Sequence, residues 1–231
     1  MSNLQNENPK MNRSLFLTYT ILILAINTNI AQKKTPLDYI PNGYKLFEQY
    51  KGDLNNDKKE DFVLIIKDTK QKNIVENRFG DIVDRNRRGI IVILDKENNY
   101  DKVVENKECF LSENEDGGVY MPPELWINIE DNKLKIHYGH GRYGSWKYIF
   151  KYLESDFKLI GYESSESNGP KVLYQSKIDF IKKEKTLSEN KTKDPEAEQE
   201  IFEVISYDIK IDDLIKLSEI ENFEDLDMTK F

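Results

Sequence analysis

Apolar and polar positions alternate with a period of two along most of the chain from residue 62 onward. Residues 125–130 alternate in this way, and residues 133–138 repeat the pattern after the Asp131-Asn132 pair. Asp-Asn tolerates the positive φ that tight hairpin turns require. Period-two runs separated by turn residues predict antiparallel β-strands. The remaining predicted strands cover residues 62–66, 89–94, 100–104, 146–152, 157–162, 176–181 and 201–211.

Helical periodicity is confined to two short segments. Residues 44–50 and the region around 212–226 are the only places where a helix is compatible with the pattern. The sequence therefore predicts a mainly β fold, either an antiparallel sandwich or a curved meander sheet, with a short C-terminal helix. A partial β-propeller is the alternative architecture, although the chain has no repeat of fixed period and is short for several four-stranded blades.

The segment 182–200 is almost entirely charged and polar, with Pro195 inside it. Because it lacks apolar groups to offset the entropy of ordering, we predict a mobile loop or a ragged hairpin extension there. The remainder of 32–231 is expected to form a single β-rich domain around this loop.

The first residues read as an export signal. Lys10 and Arg13 precede an apolar run at 15–26, and Ala31 offers a small residue at a plausible cleavage point. This arrangement is typical of a secretory signal peptide, predicted here over 1–31. The apolar run is too short to span a bilayer as a helix. The sequence therefore predicts an exported protein, periplasmic or secreted, with no membrane span after signal removal.

Composition and charge narrow the classes of partner. The 231 residues carry 42 acidic and 34 basic side chains, for a net charge of −8, and they include 13 Tyr, 11 Phe and 2 Trp. The aromatic residues can fill a core, and the acidic balance argues against nucleic acid as a partner. Cys109 is the single cysteine, so no disulfide can form within the chain. We expect it to be a half-buried hydrophobe, with an intermolecular bridge or a reactive thiol as the alternatives.

Oxygen-bearing side chains recur at close spacing just before the first apolar run. They occupy positions 1, 3, 5 and 9 of the loop 53–61, and the carbonyl of Lys59 falls at position 7; the side chains are Asp53, Asn55, Asp57 and Asp61. Hard oxygen ligands in this number suit Ca²⁺. Position 12 is Leu64, so the bidentate glutamate of the helix-loop-helix version is missing. The loop predicts a structural calcium site, and the alternative is a surface turn capped by Asp and Asn.

The sequence GDLNNDKKEDFVLII at 52–66 resembles the calcium loop of FG-GAP and VCBS-type secreted proteins. The order of elements over roughly 52–162 is also similar to that of small exported bacterial proteins of unknown function, in which such a loop precedes a hairpin (here 89–106), a Gly-Gly turn (116–120) and a Gly- and aromatic-rich hairpin (137–148). This resemblance implies the same four side chains as ligands, and it implies no catalytic residue. Lys58 departs from the pattern, because the family usually has glycine there.

The Gly-rich stretch 137–148 holds the two histidines, His137 and His140, which are three residues apart. A zinc site needs at least a third protein ligand besides two histidines. Neither histidine lies in a recognisable Ser-His-Asp or Cys-His arrangement. We therefore predict no catalytic residue and no further cofactor. Arg142 and Tyr143, at the predicted loop tip, join the two histidines as possible ligand contacts. A hydrolytic or zinc role for the histidine pair is the alternative to an exposed loop pair.

Two other clusters have a default structural interpretation. The alternating aromatics of the strand 146–152 are expected in the core, although an aromatic surface for sugar or peptide is the alternative. Glu113, Glu115 and Asp116 are expected in a solvated loop, with a cation site as the alternative.

Taken together, these patterns predict an exported, calcium-stabilised β protein with a non-enzymatic binding role in the envelope or outside the cell. Its expected partner is an envelope protein or a glycan. The alternatives are a hydrolase of envelope glycans or peptides, and an inhibitor or immunity-type protein.

Overall fold

The computed structural model describes residues 34–97, 99–116, 122–193 and 199–231. The predicted signal peptide at 1–31 and the Gly-Gly turn at 117–118 lie outside these residues. In the part of the chain that is described, no helix has the length and apolar character needed to cross a membrane.

Four strands form the first sheet, in the order β1-β2-β5-β6 with antiparallel pairing throughout. Its strands are β1 (Tyr44–Gly52), β2 (Asp61–Asp68), β5 (Arg88–Lys96) and β6 (Asn99–Phe110). Between β2 and β5 the chain makes a small separate hairpin of β3 (Ile74–Glu76) and β4 (Ile82–Asp84). Apart from the β3–β4 hairpin, strands that follow one another in the chain are neighbours in this sheet.

Seven strands form the second sheet, in unbroken chain order from β7 to β13. They are β7 (Glu124–Glu130), β8 (Lys133–Gly139), β9 (Gly144–Leu153), β10 (Asp156–Asn168), β11 (Lys171–Asp179), β12 (Glu184–Asn190) and β13 (Phe202–Asp208). Short 3-10 turns at Leu217–Glu219, Phe223–Asp225 and Met228–Lys230 follow at the C-terminal end. The predicted fold class, mainly β with antiparallel sheets and a short helical C-terminal segment, is confirmed.

The two sheets share one hydrophobic core. One face of the first sheet contributes residues such as Val63 and Val92, and the inner face of the second contributes residues such as Ile136 and Phe150. Phe223, from the C-terminal turns, stacks on Phe110 with ring centroids 4.9 Å apart. The C-terminal segment is therefore part of the core, and the two sheets are not arranged as separate propeller blades.

The opposite face of the first sheet is also covered. Phe62, Leu64 and Ile91 form a second small cluster, against which Tyr39 and Ile40 pack from the turn before β1. Every residue of β2 is consequently buried. Burial on both faces explains why β2 and β5 are continuous apolar runs in the sequence, whereas the strands of the second sheet alternate.

Two sequence predictions of secondary structure were wrong. Residues 44–50 are not helical but form most of β1, which has the register of an edge strand on β2. Residues 184–190, predicted as part of a mobile loop or a ragged hairpin extension, form β12 between β11 and β13, so the mobile loop is wrong for them and the hairpin alternative agrees better. In both cases backbone pairing with a neighbouring strand supplies the order that the side chains do not indicate.

Cys109 is fully buried rather than half-buried. Burial raises the pKa of its thiol far above the usual range, so the thiol stays protonated. The side chain acts as a small apolar group of the core, and neither alternative role for this cysteine is supported.

Candidate functional site

The loop 53–61 is organised by its own side chains. The Asp53 carboxylate accepts hydrogen bonds from the backbone N–H groups of Asn56 (2.7 Å), Asp57 (3.2 Å) and Lys58 (2.9 Å). In the same loop, Asn55 Oδ1 accepts from the N–H of Asp57 and Asp57 Oδ1 accepts from the N–H of Lys59. The side chains at positions 1, 3 and 5 thus curl the backbone around Asp53.

This curl requires left-handed backbone at two positions that are not glycine. Asn56 has a φ of 64° and Lys58 a φ of 65°. Asparagine visits this region readily, whereas for lysine it costs roughly 1 kcal/mol. Lys58 is position 6 of the loop, where calcium loops of the helix-loop-helix type use glycine for their sharp turn. The turn forms here with lysine in place of glycine at this position.

Asp61 differs from the other loop carboxylates because it is buried and links two segments. Its Oδ2 accepts from the N–H of Leu54 (2.8 Å), and its Oδ1 accepts from the N–H of Asp95 at the end of β5 (2.9 Å). Burial raises the pKa of Asp61, the two backbone hydrogen bonds oppose this, and the charges of Asp57 and Asp53 raise it further. A cation beside these three carboxylates would relieve their mutual repulsion.

The donor chemistry of the loop fits a hard cation, but its side chains are turned toward backbone N–H groups. In the described parts of the chain, no three His, Cys, Asp or Glu residues converge as a metal-binding group. Lys59 has its ammonium 3.4 Å from the Glu97 carboxylate. Asp53 Oδ1 already accepts two N–H bonds, whereas Asp53 Oδ2 and both oxygens of Asp61 accept one each and keep acceptor capacity.

Three of the predicted ligand contacts meet in the turn between β8 and β9. Gly141–Tyr143 form a 3-10 turn that starts after His140, whose ring centroid lies 5.4 Å from that of Tyr143. Arg142 donates to the Tyr143 hydroxyl from Nε (3.1 Å) and Nη2 (2.9 Å). These contacts hold the guanidinium and the phenol together at the tip of the turn.

His137 lies apart from this turn, on the outer face of β8, which points away from the shared core. Its ring stacks on the indole of Trp126 from β7, with centroids 5.0 Å apart and planes 11° apart. A Cβ at Gly139 would lie 2.8 Å from Cζ3 of Trp126, so the indole lies over Gly139 as well. The Trp126 ring is thus laid flat along β8, and 42% of the residue remains exposed.

The strand register places Trp126 at the end of a row that crosses the whole outer face. Trp126 is opposite His137, and His137 is opposite Lys147. Further pairings extend the row through Glu163, Lys177, Thr186 and Ser206. A second row on the same face, two residues along each strand, carries Ser145, Ser165, Gln175 and Ser188. One indole therefore borders a broad polar surface.

These rows line a depression, which we call the outer groove. It has a volume of about 450 Å³ and adjoins a second depression of about 600 Å³ beside the β8–β9 turn. Trp126, Ser145 and Ser165 line both depressions, so the two adjoin along these residues. His137 lines the first depression, and the second is lined by His140, Arg142 and Tyr143. All four predicted ligand contacts thus border adjoining depressions.

The charges in the outer groove are fixed by their neighbours. Burial alone would raise the pKa of Glu163, but the hydrogen bond and charge of Lys147 (2.6 Å away) outweigh it and lower that pKa. Burial lowers the pKa of His137, and the positive charges of Lys147 and Lys135 lower it further. At neutral pH the groove thus holds an ionised Glu163 and an uncharged imidazole, whose Nε2 is buried with no hydrogen-bond partner among the described residues.

The aromatic residues of β9 point to the other side. Tyr148 and Phe150 are buried, and the partly buried Trp146 packs against the core and stacks on Tyr138 at 5.3 Å. The prediction that this strand buries its aromatics is therefore confirmed. Sequence reasoning missed Trp126 as a surface residue. The signal was available, since Trp126 falls on the polar face of an alternating strand.

Glu113, predicted in a solvated acidic loop, is exposed and lies outside the strands, and it also pairs with a buried lysine. Its carboxylate lies 2.6 Å from the ammonium of Lys67, which is only 1% exposed. Asp116 pairs instead with Arg85, and Glu115 accepts from Ser112. The cluster is a set of ion pairs and hydrogen bonds with its neighbours.

No protein-family model, no curated protein and no solved structure matches this chain.

Proposed function

We propose that this protein is a non-enzymatic binding protein that takes a neutral glycan in the outer groove. The observation that carries the proposal is the flat, half-exposed Trp126, stacked on His137 and lying over Gly139. An indole held in this way has one face against the sheet and can offer the other to a ligand. Large exposed aromatics next to polar groups are typical of binding surfaces.

The polar side chains around the indole favour a sugar over an apolar ligand. Ser145, Ser165 and Gln175 lie in the row next to that of Trp126 and line the groove. Hydroxyl and amide groups both donate and accept hydrogen bonds, which matches the hydroxyls of a saccharide. The C–H face of a pyranose ring is apolar and matches the face of an indole. A groove of about 450 Å³ is within the usual range for a small-ligand site.

The electrostatics of the groove favour binding over hydrolysis. A general acid for glycoside cleavage needs a raised pKa, whereas Lys147 lowers that of Glu163. His137 and His140 line different depressions and belong to no metal-binding group among the described residues. We therefore assign no catalytic residue and favour the binding role over the hydrolase alternative.

We expect a neutral oligosaccharide to bind with an affinity that depends on Trp126. The probes are hexaoses of β-1,4-glucose, β-1,3-glucose, α-1,4-glucose and β-1,4-N-acetylglucosamine, measured by isothermal titration calorimetry. Trp126→Ala should weaken binding of any responsive probe by at least about tenfold, which corresponds to 1.4 kcal/mol, because it removes the stacking surface. Gly139→Ala should also weaken binding, since its Cβ would displace the indole.

Phe79→Ala serves as the matched control, because Phe79 is an exposed aromatic outside the groove. It should leave the affinity unchanged. The proposal is wrong if none of the four hexaoses binds at millimolar concentration. Equal affinity of the protein and its Trp126→Ala variant would also contradict it.

We further propose that the loop 53–61 binds Ca²⁺ in a structural role. The support is the donor set, three carboxylates and one amide oxygen, on a loop whose backbone already curls around Asp53. The ion would neutralise carboxylates at the entry of β2, and the resemblance to FG-GAP and VCBS loops agrees with this role. The proposed setting of both activities, outside the cytoplasm, comes from the signal peptide predicted at 1–31.

Calcium should raise the melting temperature, and EDTA should reverse the effect. An ion present at 100 times its dissociation constant adds about 2.7 kcal/mol to stability. Asp57→Asn should abolish most of the shift because it removes a charge from the loop and preserves its shape. Asp81→Asn, in the β3–β4 hairpin, is the matched control and should shift as the unmodified protein does. Identical differential scanning curves in millimolar Ca²⁺ and in EDTA would remove the ion from the account.

A further inference from the structure

The last strand of the second sheet has one edge that pairs with no other described strand. β13 pairs on one side with β12, and all of its residues after Phe202 are exposed. Val204 on the outer face and Ile205 on the inner face are 58% and 56% exposed, and Tyr207 is also exposed. Apolar side chains therefore lie on both faces of a strand whose second side is unpaired in the described part of the chain.

The direction of the backbone groups follows from two hydrogen bonds just beyond the strand. The N–H of Ile209 donates to the carbonyl of Lys183 (2.8 Å), and the carbonyl of Ile201 accepts from the N–H of Lys191 (2.7 Å). Because the two sides alternate along an antiparallel strand, the odd-numbered residues of β13 point their N–H and C=O groups at β12. Phe202, Val204, Ser206 and Asp208 point theirs at the open edge.

β13 lacks several of the usual protections of an edge strand, although it carries the acidic residues Glu203 and Asp208. Its sequence, FEVISYD, contains no lysine, arginine or proline. Its pairing with β12 has no bulge, in contrast to the pairings of β1 with β2 and β10 with β11. A regular, partly apolar edge of this kind is a template for another strand.

We propose that β13 pairs antiparallel with β13 of a second copy of this chain, about a two-fold axis at Ile205. In this register Ile205 faces its own counterpart, Val204 faces Ser206, Glu203 faces Tyr207 and Phe202 faces Asp208. The two seven-stranded sheets then form one continuous sheet. The contact is isologous, as in most homodimers.

Both hydrogen bonding and charge favour this register. Val204 and Ser206 both point their amides outward, so they exchange hydrogen bonds, and Phe202 and Asp208 do the same. Neither acidic residue of β13 faces another acid. Moving the axis to Val204 brings Glu200 opposite Asp208, and like charges directly opposite each other are destabilising. Moving it to Ser206 places Phe202 opposite Lys210, beyond the end of the strand.

The side chains gain partners on both faces of the joined sheet. On the inner face Ile205 contacts its counterpart. On the same face Tyr207 is directly opposite Glu203 of the other copy. On the outer face the exposed Val204 is beside Ser206 of the other copy. A second copy is thus the occupant that satisfies the outward amides and covers the exposed apolar groups together.

Cysteine cross-linking tests the register directly. Ile205 faces itself in a non-hydrogen-bonded pair, in which Cα atoms are about 4.5 Å apart, within the range that a disulfide spans. Ile205→Cys should form a covalent dimer under mild oxidation, seen on non-reducing gels. Glu203→Cys and Tyr207→Cys are the matched controls. Each should fail alone, because its own counterpart is about 13 Å away along the strand, and the two should cross-link when mixed. Buried Cys109 does not compete.

A proline variant tests the dimer without a new cysteine. Val204→Pro removes an N–H that faces the open edge and leaves the bonds to β12 in place, so the fold should be retained. We expect a dimer mass for the unmodified protein by analytical ultracentrifugation and a monomer mass for Val204→Pro with an unchanged circular dichroism spectrum. The proposal is overturned if the unmodified protein is monomeric at 0.1 mM, which is roughly the concentration at which a dimer with a Kd of about 10⁻⁴ M is half formed. Equal cross-linking at 203, 205 and 207 overturns it too.

Discussion

Replacing Glu113 by alanine should lower the free energy of unfolding by about 3 kcal/mol, because it removes the closest counter-charge of a buried lysine. Lys67 is 1% exposed, and its ammonium lies 2.6 Å from Glu113 and 3.5 Å from the Asp84 carboxylate. The Asp84 carbonyl also accepts from it at 2.9 Å. Without Glu113, the ammonium keeps the more distant carboxylate as its only acidic partner among the described residues. Urea denaturation monitored by circular dichroism measures the loss.

Lys67→Met is the matched control, and it should cost less than about 1 kcal/mol. Methionine fills the volume of the lysine stem, and Glu113 can then turn to water because it is partly exposed. The Asp84 carbonyl keeps a donor in Asn114 Nδ2 (2.9 Å). If the two variants lose the same free energy of unfolding, the greater burial of Lys67 relative to Glu113 does not determine the stability of the pair.

Asp61→Ala should destabilise the protein by about 3 kcal/mol in EDTA, before any metal is involved. The substitution leaves the N–H groups of Leu54 and Asp95 without the acceptor that each has now, and an unsatisfied buried donor costs about 1–3 kcal/mol. Leu54 is itself a buried core residue, so water cannot replace the lost bond there. Urea denaturation in EDTA gives the value.

Asp53→Ala provides the comparison for Asp61. Asp53 also accepts several backbone hydrogen bonds, but its donors lie at exposed positions of the loop and water can replace it. We expect a loss of about 1 kcal/mol. Equal losses for the two variants would contradict the assignment of Asp61 as the buried link between the loop and β5.

Most of the strands could be predicted from the sequence because burial imposes a readable pattern. β2 and β5 are buried on both faces and give unbroken apolar runs, and β8 buries one face and alternates. β1 and β12 could not be predicted, because their order comes from hydrogen bonds to a neighbouring strand. A pattern of side chains carries no record of that pairing.

The candidate site was predictable in most of its residues, with Trp126 as the exception, and not in its arrangement. The spacing of the loop 53–61 identified the oxygen-bearing side chains, and the structure adds that they bind backbone N–H groups and that Asp61 is a buried link. The histidines were singled out as a pair, yet His137 belongs with Trp126 and His140 with Tyr143. The contact of His137 with Trp126 depends on the register between β7 and β8, which one strand's sequence does not contain, whereas His140 meets Tyr143 within the turn after β8.

The unbroken chain order of the second sheet has a consequence for how the protein reaches its native state. Since each of its strands pairs with the strand made just before it, the sheet can grow by successive hairpins, with no strand waiting for a distant segment to arrive. Short loops cost little closure entropy, and local pairing of this kind is associated with fast folding for a β protein. A chain emerging from a pore or a ribosome, one end first, can therefore begin to assemble this sheet before its last residues have appeared.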